Sequence, residues 1–234
     1  MHSAACRFAV TGALLFIRSR YWLANIAIAL ISAGLIDVCG PIAYSLNPLG
    51  GYLVAVAAQI PLVSAVATQA SLASATTVQD RYSARHLGVW RLIHYVAMTS
   101  VAGIAVGLAA SALNVSPESQ LSSYSDFGAV AEVRNLLALT GAAFIGASAF
   151  GGAFGWTFPL AWATLPFVLA RGANSDSTGL LTLVIAPDAA FIPMVAALVT
   201  FVVGAALAAS AWSVTAVLTS ISGVAKKVTA PQRR

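Results

Sequence analysis

The sequence predicts an all-α, polytopic membrane protein of about six transmembrane helices, with both termini in the cytoplasm. Three observations lead to this prediction. First, 59% of the 234 residues are hydrophobic and only 8% are charged, whereas a soluble domain carries roughly a quarter charged residues. Second, the charged residues are separated by long neutral runs. Third, Lys and Arg are distributed unequally between the two sides that these runs define.

The neutral runs set the expected helices, since a spanning helix needs about 20 apolar residues. Residues 38–79, 92–117, 135–170 and 189–225 contain no charge. Divided at turn signals such as the Asn-Pro-Leu-Gly-Gly of 47–51, these runs predict helices at 22–46, 51–75, 91–113, 130–150, 156–170 and 189–222. The expected parts are therefore an N-terminal segment at 1–21, a six-helix domain at 22–222 and a basic cytoplasmic tail at 223–234.

The N-terminal segment is too charged to span a bilayer. Residues 4–20 alternate three arginines with apolar side chains. This pattern predicts an amphipathic helix that lies on the cytoplasmic surface and contacts membrane lipids. The alternative is a basic lead-in to the first span.

The orientation follows from the basic residues, because cytoplasmic loops carry an excess of Lys and Arg. An inside N-terminus places two basic residues outside, Arg134 and Arg171. It places ten inside: Arg7, Arg18, Arg20, Arg81, Arg85, Arg91, Lys226, Lys227, Arg233 and Arg234. The net charge of +5 is thus explained by membrane topology, and we expect no nucleic-acid partner.

Asp37 and Arg134 are the candidate intramembrane charges, with Asn135 beside the latter. A charge inside a span is costly and indicates function by default. Asp37 is interpreted as the acid inside a predicted span, either facing a cavity or lying at the interface. Because both charges fall toward the outer leaflet, we expect them to interact or to share a polar pocket.

Two further groups of residues have simpler expected roles. His94, in the third helix, is interpreted as a packed or interfacial histidine, with a proton relay as the alternative. Small residues are expected to let helix backbones approach closely; they are Gly141, Gly146, Ser148 and Gly152.

The longest polar stretch between predicted spans on the cytoplasmic side is 79–90. It mixes charge with aromatic and apolar side chains, a composition that suits protein contact. The alternative is an anchor loop that only sets topology. The residues expected to make contact are Asp80, Arg81, Tyr82, Arg85 and Leu87.

The chain shows no sign of its own catalytic chemistry. It contains no GxxxxGK[ST] loop for ATP phosphates, its two cysteines lie in different segments, and no His, Asp or Glu cluster has metal-ligand spacing. We expect no cofactor and no metal.

The order of these parts resembles a permease of the ABC exporter superfamily. The matching parts are 4–20, 47–51, 76–90 and the apolar segment 180–187. Residues 15–22 and 134–141, followed by Trp156 and Pro159, resemble small actinobacterial permeases of this kind. The polar loop at 114–128 departs from the family pattern.

The resemblance implies a bacterial plasma-membrane transport subunit, not an enzyme, whose ATP is hydrolysed by a separate cytoplasmic ATP-binding subunit. The 79–90 segment would couple to that subunit, and a second copy or a homologous membrane subunit would complete the path. The alternatives are a non-transporting scaffold or regulatory subunit, and a secondary transporter or small channel. A secondary transporter is disfavoured because the sequence shows neither repeats nor midplane ionisable residues.

Overall fold

The structure, a computed structural model, describes residues 21–39, 43–45, 53–72, 87–113, 128–169 and 191–210. The helices are α1 (Trp22–Cys39), α2 (Pro61–Leu72), α3 (Leu87–Leu113), α4 (Ala129–Phe150), α5 (Thr157–Leu169) and α6 (Phe191–Ala209). Two short strands, β1 (Ala43–Ser45) and β2 (Leu53–Ala55), and two 3-10 helices, Val56–Gln59 and Gly152–Phe154, complete the described elements. The predicted N-terminal helix, apart from Tyr21, and the predicted basic tail lie outside these residues.

Four of the helices are long and apolar enough to cross a membrane: α1, α3, α4 and α6. Helices α2 and α5 have 12 and 13 residues. At 1.5 Å per residue they are about 18–20 Å long, shorter than the hydrocarbon core of about 30 Å. The described part of the chain is therefore mainly helical and contains four helices of spanning length, where the sequence predicts six in the whole chain.

The connection between α1 and α2 corrects two predicted helices. The first helix ends at Cys39 instead of residue 46, and the second begins at Pro61 instead of residue 51. Between them β1 and β2 pair antiparallel, with Ala43 opposite Ala55 and Ser45 opposite Leu53. This register is symmetric about position 49, so the chain reverses direction where the turn at 47–51 is predicted.

Glycine and proline explain both corrected ends. Gly40 and Pro41 directly follow α1 in the sequence, a pair that typically ends a helix. Pro61 is the first residue of α2, the helical position that best tolerates a missing N–H group. The other predicted helices match more closely, except that α6 begins at Phe191 and its helical assignment ends at Ala209. Residues 211–222 of that prediction lie outside the described residues.

Helix α4 is the centre of the bundle. It packs against α2, α3, α5 and α6, while α1 packs against α2 and α3. Accordingly 61% of the most apolar stretch of α4 is buried, against 22% for α1 and 17% for α6. The exposed side chains of α1 and α6 are mostly apolar, as a lipid-facing surface requires.

Contacts at the two ends show that the six helices alternate in direction; for α4 and α5, Val133 near the start of α4 lies against Gly107 of α3, and Gly152 between α4 and α5 is bonded by Gln69 near the end of α2. At one end, the starts of α1 and α3 and the end of α2 meet at His94, and Gly88 of α3 lies against Ala209 of α6. At the other end, Ile36 of α1 clusters with Ile60, before α2, and with Val106 and Ala110 of α3. We call these the His94 end and the Ile36 end. The start of α1 and the end of α6 thus lie at the same end.

Glycines allow the closest helix contacts, as predicted for Gly141 and Gly146. A Cβ added at Gly141 would overlap the carbonyl group of Thr200 in α6. A Cβ added at Gly204 in α6 would lie 2.7 Å from the Cα of Gly141. Gly146 is similarly close to α5, since a Cβ there would lie 2.7 Å from that of Phe158. Backbone therefore packs directly on backbone where α4 meets α6.

Candidate functional site

A buried polar cluster at the His94 end joins three helices. His94 is fully buried, and its Nε2 lies 2.8 Å from the Oγ of Ser71, in the last turn of α2. The Trp22 ring of α1 packs edge-on against the imidazole, with the ring centroids 5.1 Å apart. The structure thus confirms His94 as a packed histidine and places it where α1, α2 and α3 meet.

The hydrogen bonds of Ser71 argue against nucleophilic catalysis by this pair. Ser71 Oγ also donates to the carbonyl oxygen of Thr68, at 2.7 Å. A hydroxyl has a single proton, so in this arrangement Ser71 accepts its bond from the Nε2–H of His94. An activated serine needs the opposite polarity, donating its proton toward a basic imidazole nitrogen. The Ser71–His94 hydrogen bond therefore stabilises the packing of α2 against α3.

Helix α2 carries polar side chains on its buried surface. Ser64 Oγ donates to Ser32 Oγ of α1 at 2.9 Å, and Thr68 Oγ1 donates to the Ser64 carbonyl oxygen at 2.9 Å. Gln69 Nε2 donates to the carbonyl oxygen of Gly152, between α4 and α5, at 3.1 Å. Through Ser64, Gln69 and Ser71, this short helix is hydrogen-bonded to three different parts of the bundle.

Two hydrogen-bond donors on α1 lack an acceptor within the part of the chain that the structure describes. They are the buried atoms Trp22 Nε1 and Asn25 Nδ2. The residues are three apart, so they lie on the same side of the helix. A buried donor without a partner costs about 1–3 kcal/mol, so this side of α1 is suited to a bound water or another oxygen acceptor.

The start of α4 holds a second buried polar group. Glu132 and Arg134 are both fully buried, and Asn135 is 1% exposed. Arg134 Nη2 donates to Asn135 Oδ1 at 3.4 Å. Contact between Val133 and Gly107 of α3 places this group toward the Ile36 end. Glu132 lies in the first turn of α4, where the helix dipole favours an acidic side chain.

Glu132 is a second acid inside a helix of spanning length, in addition to Asp37, which lies inside α1 as predicted. Glu132 lies in a helix of spanning length and is fully buried, whereas Asp37 is exposed near the end of α1. Within the described residues, Asp37 makes no ion pair with Arg134. The described contacts thus include no direct interaction between Asp37 and the buried Arg134. A polar pocket shared by the two residues, the other form of the expectation, stays a prediction.

The residues predicted to contact a cytoplasmic partner fall mostly outside the description. Asp80, Arg81, Tyr82 and Arg85 lie in the undescribed segment 73–86, and Leu87 is the first residue of α3. The segment is nevertheless bounded by the end of α2 and the start of α3. Both flanking helices belong to the polar cluster at the His94 end.

Metal binding finds no support in the described part of the chain. No group of three or more His, Cys, Asp or Glu side chains there lies close enough to hold an ion. Cys39, at the end of α1, is a free, half-buried thiol.

Sequence reasoning missed three features of the site. The burial of Glu132 had a signal, because the residue lies only two positions before Arg134 at the start of a neutral run. No feature of the sequence indicates the hydrogen bonds Ser71–His94 and Gln69–Gly152. Neutral polar residues 23 and 83 positions apart form no spacing pattern in a single sequence.

Comparison with known proteins gave no match to a family model, a curated protein or a solved structure. Function is therefore inferred from the residues, their geometry and the resemblance of layout.

Proposed function

We propose that this chain is the membrane-spanning permease subunit of an ABC-type exporter in a bacterial plasma membrane. It would form a translocation path with a second copy or a homologous subunit. A separate cytoplasmic subunit would bind and hydrolyse ATP. In this proposal the His94 end is cytoplasmic, because the basic segments before α1, between α2 and α3 and after α6 all adjoin it.

The observation that carries the proposal is the alternation of six helices with a tight reversal between the first two. The resembled permeases have six spans, a short external hairpin between spans one and two, and both termini inside. Antiparallel β1 and β2, symmetric about position 49, occupy the place of that hairpin. The alternation places the start of α1 and the end of α6 on one side.

Six crossings are part of this proposal, although α2 and α5 are short. The 3-10 helix Val56–Gln59 precedes α2 with one intervening residue. At about 2 Å per residue it adds about 8 Å to the length of α2. The resulting length of about 26 Å approaches the hydrocarbon thickness of about 30 Å, and small differences are accommodated by local thinning of the bilayer.

The proposed contact with the ATPase is the segment 79–90. It is short, it lies on the proposed cytoplasmic side, and it follows α2 after six residues and ends within the first turn of α3. Exposed ion pairs contribute typically less than about 1 kcal/mol. We therefore assign most of the affinity to Tyr82 and Leu87, and the register of binding to Asp80, Arg81 and Arg85.

A purification in mild detergent with a double variant tests this assignment. The tagged chain is expected to co-purify a cytoplasmic protein that hydrolyses ATP and whose rate increases in the complex. The variant Tyr82→Asp with Leu87→Asp should abolish that increase while the helices stay folded. Leu87 begins α3, and an acidic residue at a helix N-terminus is favourable.

The matched control makes the same two changes in the predicted outer loop, as Leu121→Asp with Tyr124→Asp. It should leave binding and the ATPase rate unchanged. If the first variant keeps full partner binding and stimulation, the segment is only a topological anchor. A copurified complex without ATPase activity would instead support the scaffold interpretation.

A further inference from the structure

The turn between α4 and α5 is short and closely packed against the bundle. Gly151 has a φ of +89°, a left-handed conformation that favours glycine. The 3-10 helix Gly152–Phe154 follows, and Gly155 is buried. Gly146 of α4 also approaches this turn, because a Cβ there would lie 2.8 Å from the Gly155 carbonyl oxygen. Close contact with α4 therefore fixes where the turn lies relative to the bundle.

Gln69 of α2 contacts this turn in two ways, through a hydrogen bond and through packing of its side-chain amide. Its side chain is 2% exposed, and its Nε2 donates to the Gly152 carbonyl oxygen at 3.1 Å. A Cβ added at Gly155 would lie 2.7 Å from Gln69 Cδ and 2.9 Å from Nε2. The amide thus lies directly on the Gly155 backbone while it bonds the Gly152 carbonyl, which ties α2 to both sides of the turn.

The same part of α2 is tied to α3 and α1 by a different set of contacts. Two residues after Gln69, Ser71 bonds His94 of α3, and the His94 ring packs against Trp22 of α1. The last described turn of α2 is therefore connected to α1, α3 and the α4–α5 turn.

We propose that Gln69 is a positioning residue that makes the end of α2 and the α4–α5 turn move as one unit. A partner bound at 79–90 would then displace α4 and α5 together with α2. The positioning rests on the contacts above, whereas the docking segment 79–90 and the ATPase that would bind it rest on the proposed function.

A spin label on the turn tests the positioning in the full chain, reconstituted in lipid nanodiscs. The label is attached at Ala153→Cys, an exposed position, after Cys6→Ser and Cys39→Ser. The test variant Gln69→Met keeps the length of the side chain but removes the amide donor. Its spectrum should gain a mobile component that the parent protein lacks.

The matched control is Tyr95→Phe. It also removes one side-chain bond to backbone, because Tyr95 Oη donates to the Phe201 carbonyl oxygen at 3.1 Å. This bond joins α3 to α6 and does not touch the turn, so the label spectrum should stay unchanged. If Gln69→Met leaves the spectrum unchanged, or if both variants mobilise the label equally, the positioning role is wrong.

The transmission step is tested with the partner ATPase. Gln69→Met should keep partner binding but reduce the stimulation of ATP hydrolysis by about 2- to 30-fold, the range expected for residues along a coupling path. Tyr95→Phe should reduce neither. Undiminished stimulation in a Gln69→Met protein with a mobile turn would overturn the transmission. Failure of the parent chain to bind any ATPase would overturn the proposed function, while the spin-label result still decides the positioning.

Discussion

Gly141 and Gly204 determine how closely α4 and α6 approach each other. Their backbones are in direct contact, and Tyr95 Oη would lie 2.9 Å from a Cβ at Gly204. Without a hydrophobic driving force between helices in lipid, such close packing is a main source of helix association. These two glycines therefore contribute to stability through the space that they leave free.

The variant Gly141→Ala should destabilise the bundle by about 1–3 kcal/mol, the usual cost of overpacking a well-packed contact. The added Cβ would meet main-chain atoms of Thr200 and Phe201, which cannot move aside as a side chain can. Thermal unfolding in detergent micelles measures the change.

The matched control is Gly34→Ala in α1. No atom lies within 4 Å of the added Cβ there. Replacing a helical glycine by alanine is favourable by roughly 0.5–1 kcal/mol, so this variant should be at least as stable as the parent. Equal stability of the two variants would contradict the close-packing account.

Arg134 and Asp37 show how far the burial of a charged residue can be predicted from the sequence. Arg134 is predicted to be an intramembrane charge because it directly precedes the neutral run 135–170, and it is fully buried. Asp37 met the same criterion but is exposed. Charge and position along the chain are visible in a sequence, whereas the side of the helix that faces the interior depends on how neighbouring helices pack.

At the scale of elements, α2 differs from its neighbours. It is short, and its buried surface includes Ser64, Thr68, Gln69 and Ser71. Hydrogen bonds to α1, α3 and the α4–α5 turn replace much of the apolar packing that holds a longer helix. The stability of α2 should therefore depend on specific polar pairs.

The pair Ser32–Ser64 allows a direct test of this dependence by a double-mutant cycle with Ser32→Ala and Ser64→Ala. The coupling energy should be about 0.6 kcal/mol and below about 1.7 kcal/mol, the range measured for side-chain hydrogen bonds between membrane helices. Unfolding of the parent, the two single variants and the double variant gives the value.

A control cycle combines Ser32→Ala with Ser148→Ala. Ser148 donates within its own helix, to the Ile145 carbonyl oxygen, so the two changes should be additive. A coupling energy of zero for Ser32 and Ser64 would show that their bond contributes nothing to holding α1 against α2.

The bounds of a helix can be predicted from the sequence where charged, polar, glycine or proline residues mark its first and last positions. The sequence predicts 130–150 for the fourth helix and the structure gives Ala129–Phe150, because a polar loop precedes it and Gly151 follows it. The predicted end of α1 and the predicted start of α2 were wrong by several residues because 38–79 contains no charge. In such a run only glycine and proline mark the ends, and the strands β1 and β2 are too short to show a periodic pattern.

For the whole molecule, we expect an even number of membrane crossings, with both chain termini and the His94 end of the bundle on the cytoplasmic side. The alternation of the helices is observed within the described residues. The assignment of the His94 end to the cytoplasm rests on the ten-to-two distribution of basic residues. Charge distribution is readable from the sequence, but the polar contacts that gather α1, α2 and α3 at one end form only in the fold.

Cysteine labelling in intact cells tests this claim most directly. Single cysteines are placed at Ser119, Ala153, Ser175 and Gln232 in a chain with Cys6→Ser and Cys39→Ser, and each is exposed to a membrane-impermeant thiol reagent. Positions 119 and 175 should be labelled in intact cells, and positions 153 and 232 only after permeabilisation. Labelling of position 232 but not 119 in intact cells would contradict the orientation, and equal accessibility of 119 and 153 would contradict the crossing by α4.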